Sequence, residues 1–142
     1  MAGKHLILFF LTKLLLFSGH LNAQGNQIAI GQWQDHLPYQ NAIQIVKGDE
    51  FVCATPYALF RIDQDKEVER ISKTNYLTDV GVSAIAWDPT TQQWIVAFDN
   101  SNLNILSNNR TRSIGDIRRS NIPGDKRIRH IFCNNGLAYL ST

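Results

Sequence analysis

The sequence predicts an all-β fold made of β-propeller blades of four antiparallel strands, with about two and a half blades present. Three observations predict it. Helical periodicity is almost absent after residue 23, short runs rich in Ile, Val, Phe, Tyr and Trp recur, and Gly, Asn, Asp and Pro interrupt them at short intervals. A hydrophobic share of 44% and an aromatic share of 10% are typical of a folded protein.

The first 23 residues have the pattern of a secretory signal peptide. A positively charged start, MAGKH, precedes the apolar run LILFFLTKLLLF, and the segment ends in Ala23 before Gln24. A transmembrane anchor is the alternative. It is disfavoured because the apolar run is shorter than the roughly 20 residues that a membrane span needs and Lys13 interrupts it. We therefore expect residues 1–23 to be a signal peptide and the protein to be exported.

Removal of this segment changes the charge balance of the chain. Lys4 and Lys13 leave with it, so the formal net charge falls from +2 to zero. A neutral chain lacks the basic surplus that attracts a nucleic acid, so no nucleic-acid partner is expected.

The strand-like runs fall into repeating sets. Equivalent isoleucines, Ile45, Ile85 and Ile131, stand 40 and 46 residues apart. The first set is NAIQIV (41–46), FVCAT (51–55), ALFRID (58–63) and EVERIS (67–72). The second is VSAIAW (82–87), QWIVAF (93–98), NLNILS (102–107) and RSIGDI (112–117), and the third begins with IRHIFC (128–133) and LAYLST (137–142).

Each set has the composition of one blade. The second strand of each set is nearly continuous in apolar residues, so we expect it to be buried on both faces. These strands are FVCAT, WIVAF and LAYLS. EVERIS and RSIGDI alternate polar and apolar residues and suit an outer position. A β-sandwich is the alternative, but it does not require matching turns at a fixed interval.

The repeat also predicts that residues 24–142 are the N-terminal part of a propeller domain in a longer protein. A propeller needs at least about four blades, and the sequence ends at Thr142 inside an apolar run. Because blades bury their faces against each other, we expect residues 24–142 alone to aggregate or to stay loosely ordered.

A polar stretch, Asp99-Asn100-Ser101-Asn102, interrupts WIVAFDNSNLNILS. It occupies the place that TPYA (55–58) has in the first set, so we expect it to reverse the chain. Calcium binding is the alternative. It is disfavoured because glycine is missing and the alternating oxygen ligands stop at Leu103.

No catalytic, cofactor or metal site is predicted. His36 adjoins Asp35, but neighbours on an extended chain point to opposite sides, so a structural role is favoured. His130 lies alone in a strand. Cys53 and Cys133 lie in apolar runs and are predicted to be buried thiols, although export would permit a disulfide.

A cluster of basic residues is the strongest functional indication, as a contact for an anion or for a partner protein. Only Asp116 and Asp125 oppose it within the same stretch, and a solvated outer surface of a blade is the alternative. Its members are Arg110, Arg112, Arg118, Arg119, Lys126, Arg127 and Arg129.

Aromatic residues in or beside turns are a second indication. Trp33, Tyr39, Tyr57 and Tyr76 could stack on sugars or anchor a partner. Packing between blades is the alternative.

Two stretches carry a family resemblance. IGQWQDHLPYQNAIQIV (30–46) follows the signal peptide directly, and ISKTNYLTDVGVSAIAWDP (71–89) precedes WIVAFDNSNLNIL. They resemble the two-component-regulator type of propeller repeat of Bacteroidetes, and within it the N-terminal β-propeller of PorZ-like proteins of the type IX secretion system. One departure is visible, because Tyr76 stands where the family's turn usually has glycine, which adopts positive φ most easily.

The resemblance implies a non-catalytic scaffold without cofactors at the periplasm or the outer-membrane cell surface. Its implied partners are the sortase and other attachment-complex proteins, with which it helps deliver cargo to the cell surface. Anionic lipopolysaccharide would bind through a domain outside this chain. The alternative function is a periplasmic oligosaccharide-sensing propeller of a hybrid two-component regulator, and a propeller enzyme is a third possibility without an identifiable pair of catalytic carboxylates.

Overall fold

The computed structural model describes residues 36–62, 66–107 and 110–142. The predicted signal peptide, Trp33 and Asp35 lie outside these ranges. Within them, no helix has the length and apolar character required to cross a membrane.

The described chain is a meander of antiparallel strands, which confirms the predicted fold class. Blade 1 and blade 2 are four-stranded sheets with strands in chain order, and a third sheet has two strands. Blade 1 contains β1 (Gln44–Lys47), β2 (Phe51–Ala54), β3 (Leu59–Ile62) and β4 (Val68–Ile71). Blade 2 contains β5 (Val82–Asp88), β6 (Gln93–Phe98), β7 (Leu103–Ser107) and β8 (Arg110–Ile114), and the third sheet contains β9 (His130–Asn134) and β10 (Leu137–Ser141).

The last strand of the second set ends earlier than the sequence predicts. RSIGDI (112–117) was expected to be one strand, but β8 ends at Ile114 and a single helical turn, α1 (Asp116–Arg119), follows. Gly115 separates the two elements, and its carbonyl accepts a hydrogen bond from the Arg119 amide at 3.0 Å. Glycine is poor in a strand interior, so the apparent alternation across it did not indicate a continuous strand.

The main core lies between blade 1 and blade 2. Val52 and Leu59 of blade 1 pack with Ile85, Val96 and Phe98 of blade 2, and all five are buried. A second core lies on the other face of blade 2, where Ala84, Ile95, Ala97 and Leu103 surround the buried Ile128. Each face of blade 2 is therefore covered by a neighbouring segment, as stacking of blades requires.

The burial of the second strands follows the prediction in blades 1 and 2 but not in the third sheet. β6 is buried from Trp94 to Phe98, and β2 is buried except at Phe51. In β10, by contrast, Leu137 and Tyr139 are 60% and 55% exposed. Leu140 packs against the core beside blade 2, whereas residues 137 and 139 belong to the opposite face. Within the described residues, LAYLS is therefore not buried on both faces.

The loop around Tyr76 closes without a left-handed residue at that position. The Ser72 carbonyl accepts hydrogen bonds from the Tyr76 amide at 3.0 Å and the Leu77 amide at 2.9 Å. The glycine that the family's turn usually has is therefore not needed for the chain to turn here.

Candidate functional site

The polar stretch Asp99–Asn102 forms the turn between β6 and β7, as the sequence predicts. The Phe98 amide donates to the Asn102 carbonyl at 3.0 Å, and the Ser101 amide donates to the Phe98 carbonyl at 2.9 Å. Ser101 has φ of 63°, so the left-handed residue of the turn is the serine and not one of the neighbouring Asp or Asn residues.

The same turn binds the connector that joins blade 1 to blade 2. The side-chain nitrogen Nδ2 of Asn102 donates to Asp79 Oδ2 at 2.6 Å, and Nδ2 of Asn100 donates to Asp79 Oδ1 at 2.9 Å. Beside them lies the buried side chain of Asn104. Its Oδ1 accepts from the backbone amide of Thr78 at 2.9 Å, and its Nδ2 donates to the Thr78 hydroxyl at 2.8 Å. The asparagines therefore hold the connector against blade 2.

The electrostatics of this network follow from its hydrogen bonds. Partial burial by itself raises the pKa of Asp79, but the donors from Asn102, Asn100 and Thr78, together with the charge of Lys73, outweigh it. The pKa of Asp79 is consequently lower than usual, and the group is held as a carboxylate.

A second connector, between blade 2 and the third sheet, is bound to the same turn. The Ser101 hydroxyl donates to the Lys126 carbonyl at 2.7 Å. Arg127 Nε lies 2.9 Å from Asp99 Oδ1 in an ion pair. The polar turn thus joins two connectors to blade 2, and its side chains act in structural contacts.

Structural contacts also engage four of the seven residues in the basic cluster. Besides the pair of Arg127 with Asp99, Arg119 pairs with Asp116 at 2.9 Å and Arg129 pairs with Asp125 at 3.0 Å. Lys126 Nζ donates to the carbonyls of Arg118 and Ser120, both at 2.9 Å. It thereby satisfies carbonyl groups at the end of α1.

The three remaining arginines of the cluster, Arg110, Arg112 and Arg118, are exposed. Within the described ranges, no carboxylate lies at ion-pair distance from any of them. Arg110 and Arg112 stand opposite Ser107 and Ile105 in the register of β7 with β8, and Arg118 lies in α1. We call these three the arginine surface, the part of the predicted cluster that is exposed and has no ion pair among the described residues.

The aromatic candidates have different surroundings. Tyr39 packs on blade 1, with its ring centroid 6.1 Å from that of Phe60 and 5.2 Å from the guanidinium carbon of Arg70. Tyr57 is 47% exposed in the turn between β2 and β3. Tyr76 is half-buried against the main core between the blades. Tyr39 and Tyr76 thus pack against neighbouring side chains, and Tyr57 is the one of these three that solvent reaches most easily.

The histidines and cysteines considered as candidates for chemistry have different surroundings. His36 and His130 are exposed, and the thiols of Cys53 and Cys133 are free. Burial raises the pKa of the Cys53 thiol, and burial together with the Asp88 charge raises that of Cys133, which disfavours the reactive thiolate. In the part of the chain that the structure describes, His, Cys, Asp and Glu form no group of three that could hold a metal ion.

Sequence reasoning did not identify the asparagine–aspartate network or a cavity between blades 1 and 2. The partners of the network are 21 to 26 residues apart, so a local pattern shows a turn at each end but not the contact. The paired Trp87 and Trp94, which face each other across β5 and β6, were the available signal for the cavity.

Residues 51–142 match the family described as "TSS9, PorZ, N-terminal beta-propeller domain". This match extends from β2 to the end of the sequence. A comparison with curated proteins gave no match.

A solved structure of PorZ from Porphyromonas gingivalis has a similar fold, with a TM-score of 0.71 and 18% sequence identity. That protein is described as "an essential bacterial surface component of the type-IX secretion system". The similarity covers 78% of this chain but only 15% of PorZ, so the chain spans a small part of the length of that protein.

Proposed function

Because the chain belongs to the family of PorZ N-terminal β-propeller domains of the type IX secretion system, we propose that it is a non-catalytic scaffold of that system's surface-attachment machinery. The observation that carries this proposal is the family match over residues 51–142, which includes all of blade 2 and the described strands of the third sheet. In this role the propeller supports sortase-dependent delivery of cargo to the outer-membrane surface.

A scaffold role agrees with the way the chain uses its polar residues. Asn100 and Asn102 donate to Asp79, and Asn104 bonds to Thr78, so the three asparagines fix a connector. The thiol pKa values are raised rather than lowered. Rigid joints between blades suit a protein that positions partners relative to each other.

The arginine surface is the proposed contact for the sortase or another attachment-complex protein. Arginine binds carboxylates through a planar fork, and Arg110, Arg112 and Arg118 are exposed without an intramolecular carboxylate among the described residues. Such a contact is weakened by salt because exposed charges are screened. Anionic lipopolysaccharide, in this proposal, is bound by a domain outside the chain.

Export of the protein to the periplasm or the cell surface is part of the proposal. Residues 1–23 are its signal peptide and residues 24–142 belong to the propeller domain. Mass spectrometry of the protein purified from the cell envelope should give Gln24 as the first residue. A protein that retains Met1 in the membrane fraction would contradict this processing.

Deletion of the gene tests the proposed function in cells. The deletion should remove cargo proteins from the cell surface, and a wild-type copy should restore them. A copy with the single reversal Lys47→Glu, at an exposed position of β1, serves as the control and should restore them equally. Normal surface attachment of cargo in the deletion strain would overturn the proposal. A loss of response to one oligosaccharide, with cargo delivery intact, would instead indicate the sensor function.

A further inference from the structure

A cavity of about 190 Å³ lies between blade 1 and blade 2. It is separate from the arginine-rich connector that follows β8, and Arg110 is the one member of the arginine surface that borders it. We propose that this cavity binds one neutral sugar ring.

The aromatic wall of the cavity comes from Trp87 and Trp94 of blade 2 and from Tyr76. The two indole rings have centroids 5.0 Å apart and planes inclined by 50°. The backbone of blade 1 fixes them, because a Cβ atom on Gly48 would lie 2.7 Å from atoms of both indoles. Aromatic rings held in this way can stack on the C–H face of a sugar at little cost in side-chain entropy.

The polar wall is an arginine fixed by carboxylates. Arg61 Nε contacts Glu69 directly and lies 3.5 Å from Glu50 Oε2. Among the described residues, Arg61 contacts these carboxylates through Nε, and its side chain lines the cavity. An arginine fork in a fixed orientation can donate to two adjacent hydroxyl oxygens of a sugar, and Glu69 can accept from a hydroxyl.

The balance of charges and the size of the cavity identify the class of ligand. Among the described residues that line it, Asp49 and Glu69 balance the charges of Arg61 and Arg110. Donors, acceptors and aromatic faces without a net charge favour an uncharged polyol over an anion or a cation. The cavity is smaller than the roughly 300–1,000 Å³ of sites for drug-sized ligands, which suits one ring rather than an oligosaccharide.

Saturation-transfer NMR on the full-length secreted protein tests this site. The probes are the methyl glycosides of glucose, mannose, galactose and N-acetylglucosamine, with glucuronate and glucosamine as charged counterparts. At least one neutral glycoside should bind saturably and more tightly than its charged counterparts. Arg61→Gln should weaken its binding by about tenfold or more, the effect of losing a charge-assisted hydrogen bond.

Two further variants make the test specific to the cavity. Gln92→Ala changes an exposed residue of the lining, so it should weaken binding without affecting the fold. Arg118→Gln removes an exposed arginine that does not line the cavity and should leave binding unchanged. The proposal is overturned if no neutral glycoside binds, if only charged sugars bind, or if Arg61→Gln and Gln92→Ala both bind as tightly as the wild type.

Discussion

The side-chain amide of Asn102 donates a hydrogen bond to the carboxylate of Asp79 at 2.6 Å. Asn102 ends the turn between β6 and β7, whereas Asp79 lies in the connector that enters blade 2 from blade 1. This bond therefore links the β6–β7 turn of blade 2 to the connector that comes from blade 1. The polar stretch DNSN is the turn that its position in the repeat predicts, and it also contacts the connector between the blades.

Asp79→Ala should loosen this contact, because the side-chain amide of Asn100 loses its acceptor and that of Asn102 loses its shortest hydrogen bond and keeps the one to the Ser113 hydroxyl. Leaving a partly buried donor unpaired costs about 1–3 kcal/mol. Amide hydrogen exchange of residues 72–81 and 98–104 in the full-length protein should accelerate by about tenfold. Asp116→Ala is the control, since its pair with Arg119 is exposed and contributes little. Equal protection of these segments in both variants would show that the Asp79 contacts do not hold the connector.

The same contact predicts a pH dependence. The pKa of Asp79 is lower in the folded protein than the value of about 3.9 in an unfolded chain. Its contribution to stability is therefore complete above that unfolded value and is lost as the pH falls through the lower folded value. Hydrogen exchange of residues 72–81, corrected for intrinsic rates, should show protection that declines in acid for the wild type. Asp79→Asn should be less protected at neutral pH and change less with acid; parallel declines would refute the assignment.

Ser101 has a left-handed backbone conformation, and its hydroxyl donates a hydrogen bond to the Lys126 carbonyl. Two variants separate the effect of the backbone strain from that of the hydrogen bond. Ser101→Ala loses the bond to the Lys126 carbonyl and keeps φ near 63°, so it should be destabilised. Ser101→Gly loses the same bond but relieves the backbone strain, which is worth about 1 kcal/mol. Hydrogen exchange of residues 98–104 should thus be faster in the alanine variant than in the glycine variant.

Ser83→Ala is the matched control for Ser101. The Ser83 hydroxyl is buried and has no hydrogen-bond partner in the described part of the chain, so its removal should leave stability unchanged or raise it. If the alanine variant of Ser101 is as stable as the glycine variant, the left-handed position carries no strain.

Substitution of exposed apolar side chains on blade 1 and the third sheet should have opposite effects on residues 24–142 alone and on the full-length protein. Ile45 is 66% exposed and Phe132 is 65% exposed. If further blades cover these faces, Ile45→Lys combined with Phe132→Lys should improve the solubility of residues 24–142 expressed alone and should destabilise the full-length protein. A monomeric 24–142 segment with a sharp cooperative thermal transition, before any substitution, would contradict this expectation.

Local patterns in the sequence were sufficient for most of the strands, although not for the end of β8. Alternating and continuous apolar runs gave β5 and β6 nearly at their observed bounds. An Asn-Gly dipeptide is typical of a tight turn, and in the turn before β10 Asn135 and Gly136 have φ of 49° and 74°. These features depend on neighbouring residues, which is why one sequence is enough to find them.

Features that depend on distant partners could not be predicted. Arg127 pairs with Asp99 across 28 positions. Nothing local distinguishes it from Arg118, which has no ion pair within the described ranges. Burial of β10 depends on what covers each face of its sheet, which composition does not reveal. The cavity beside Trp87 likewise exists only where two blades meet.

The most direct test of the scaffold proposal is affinity purification of the tagged full-length protein from outer membranes at low ionic strength. The sortase should co-purify with the wild type and with the Lys47→Glu control. The combined reversal of the arginine surface, Arg110→Glu, Arg112→Glu and Arg118→Glu, should reduce its recovery, because exposed charges contribute most at low salt. Absence of the sortase and of every other attachment-complex protein from the wild-type eluate, even after chemical cross-linking in intact cells, would contradict the account.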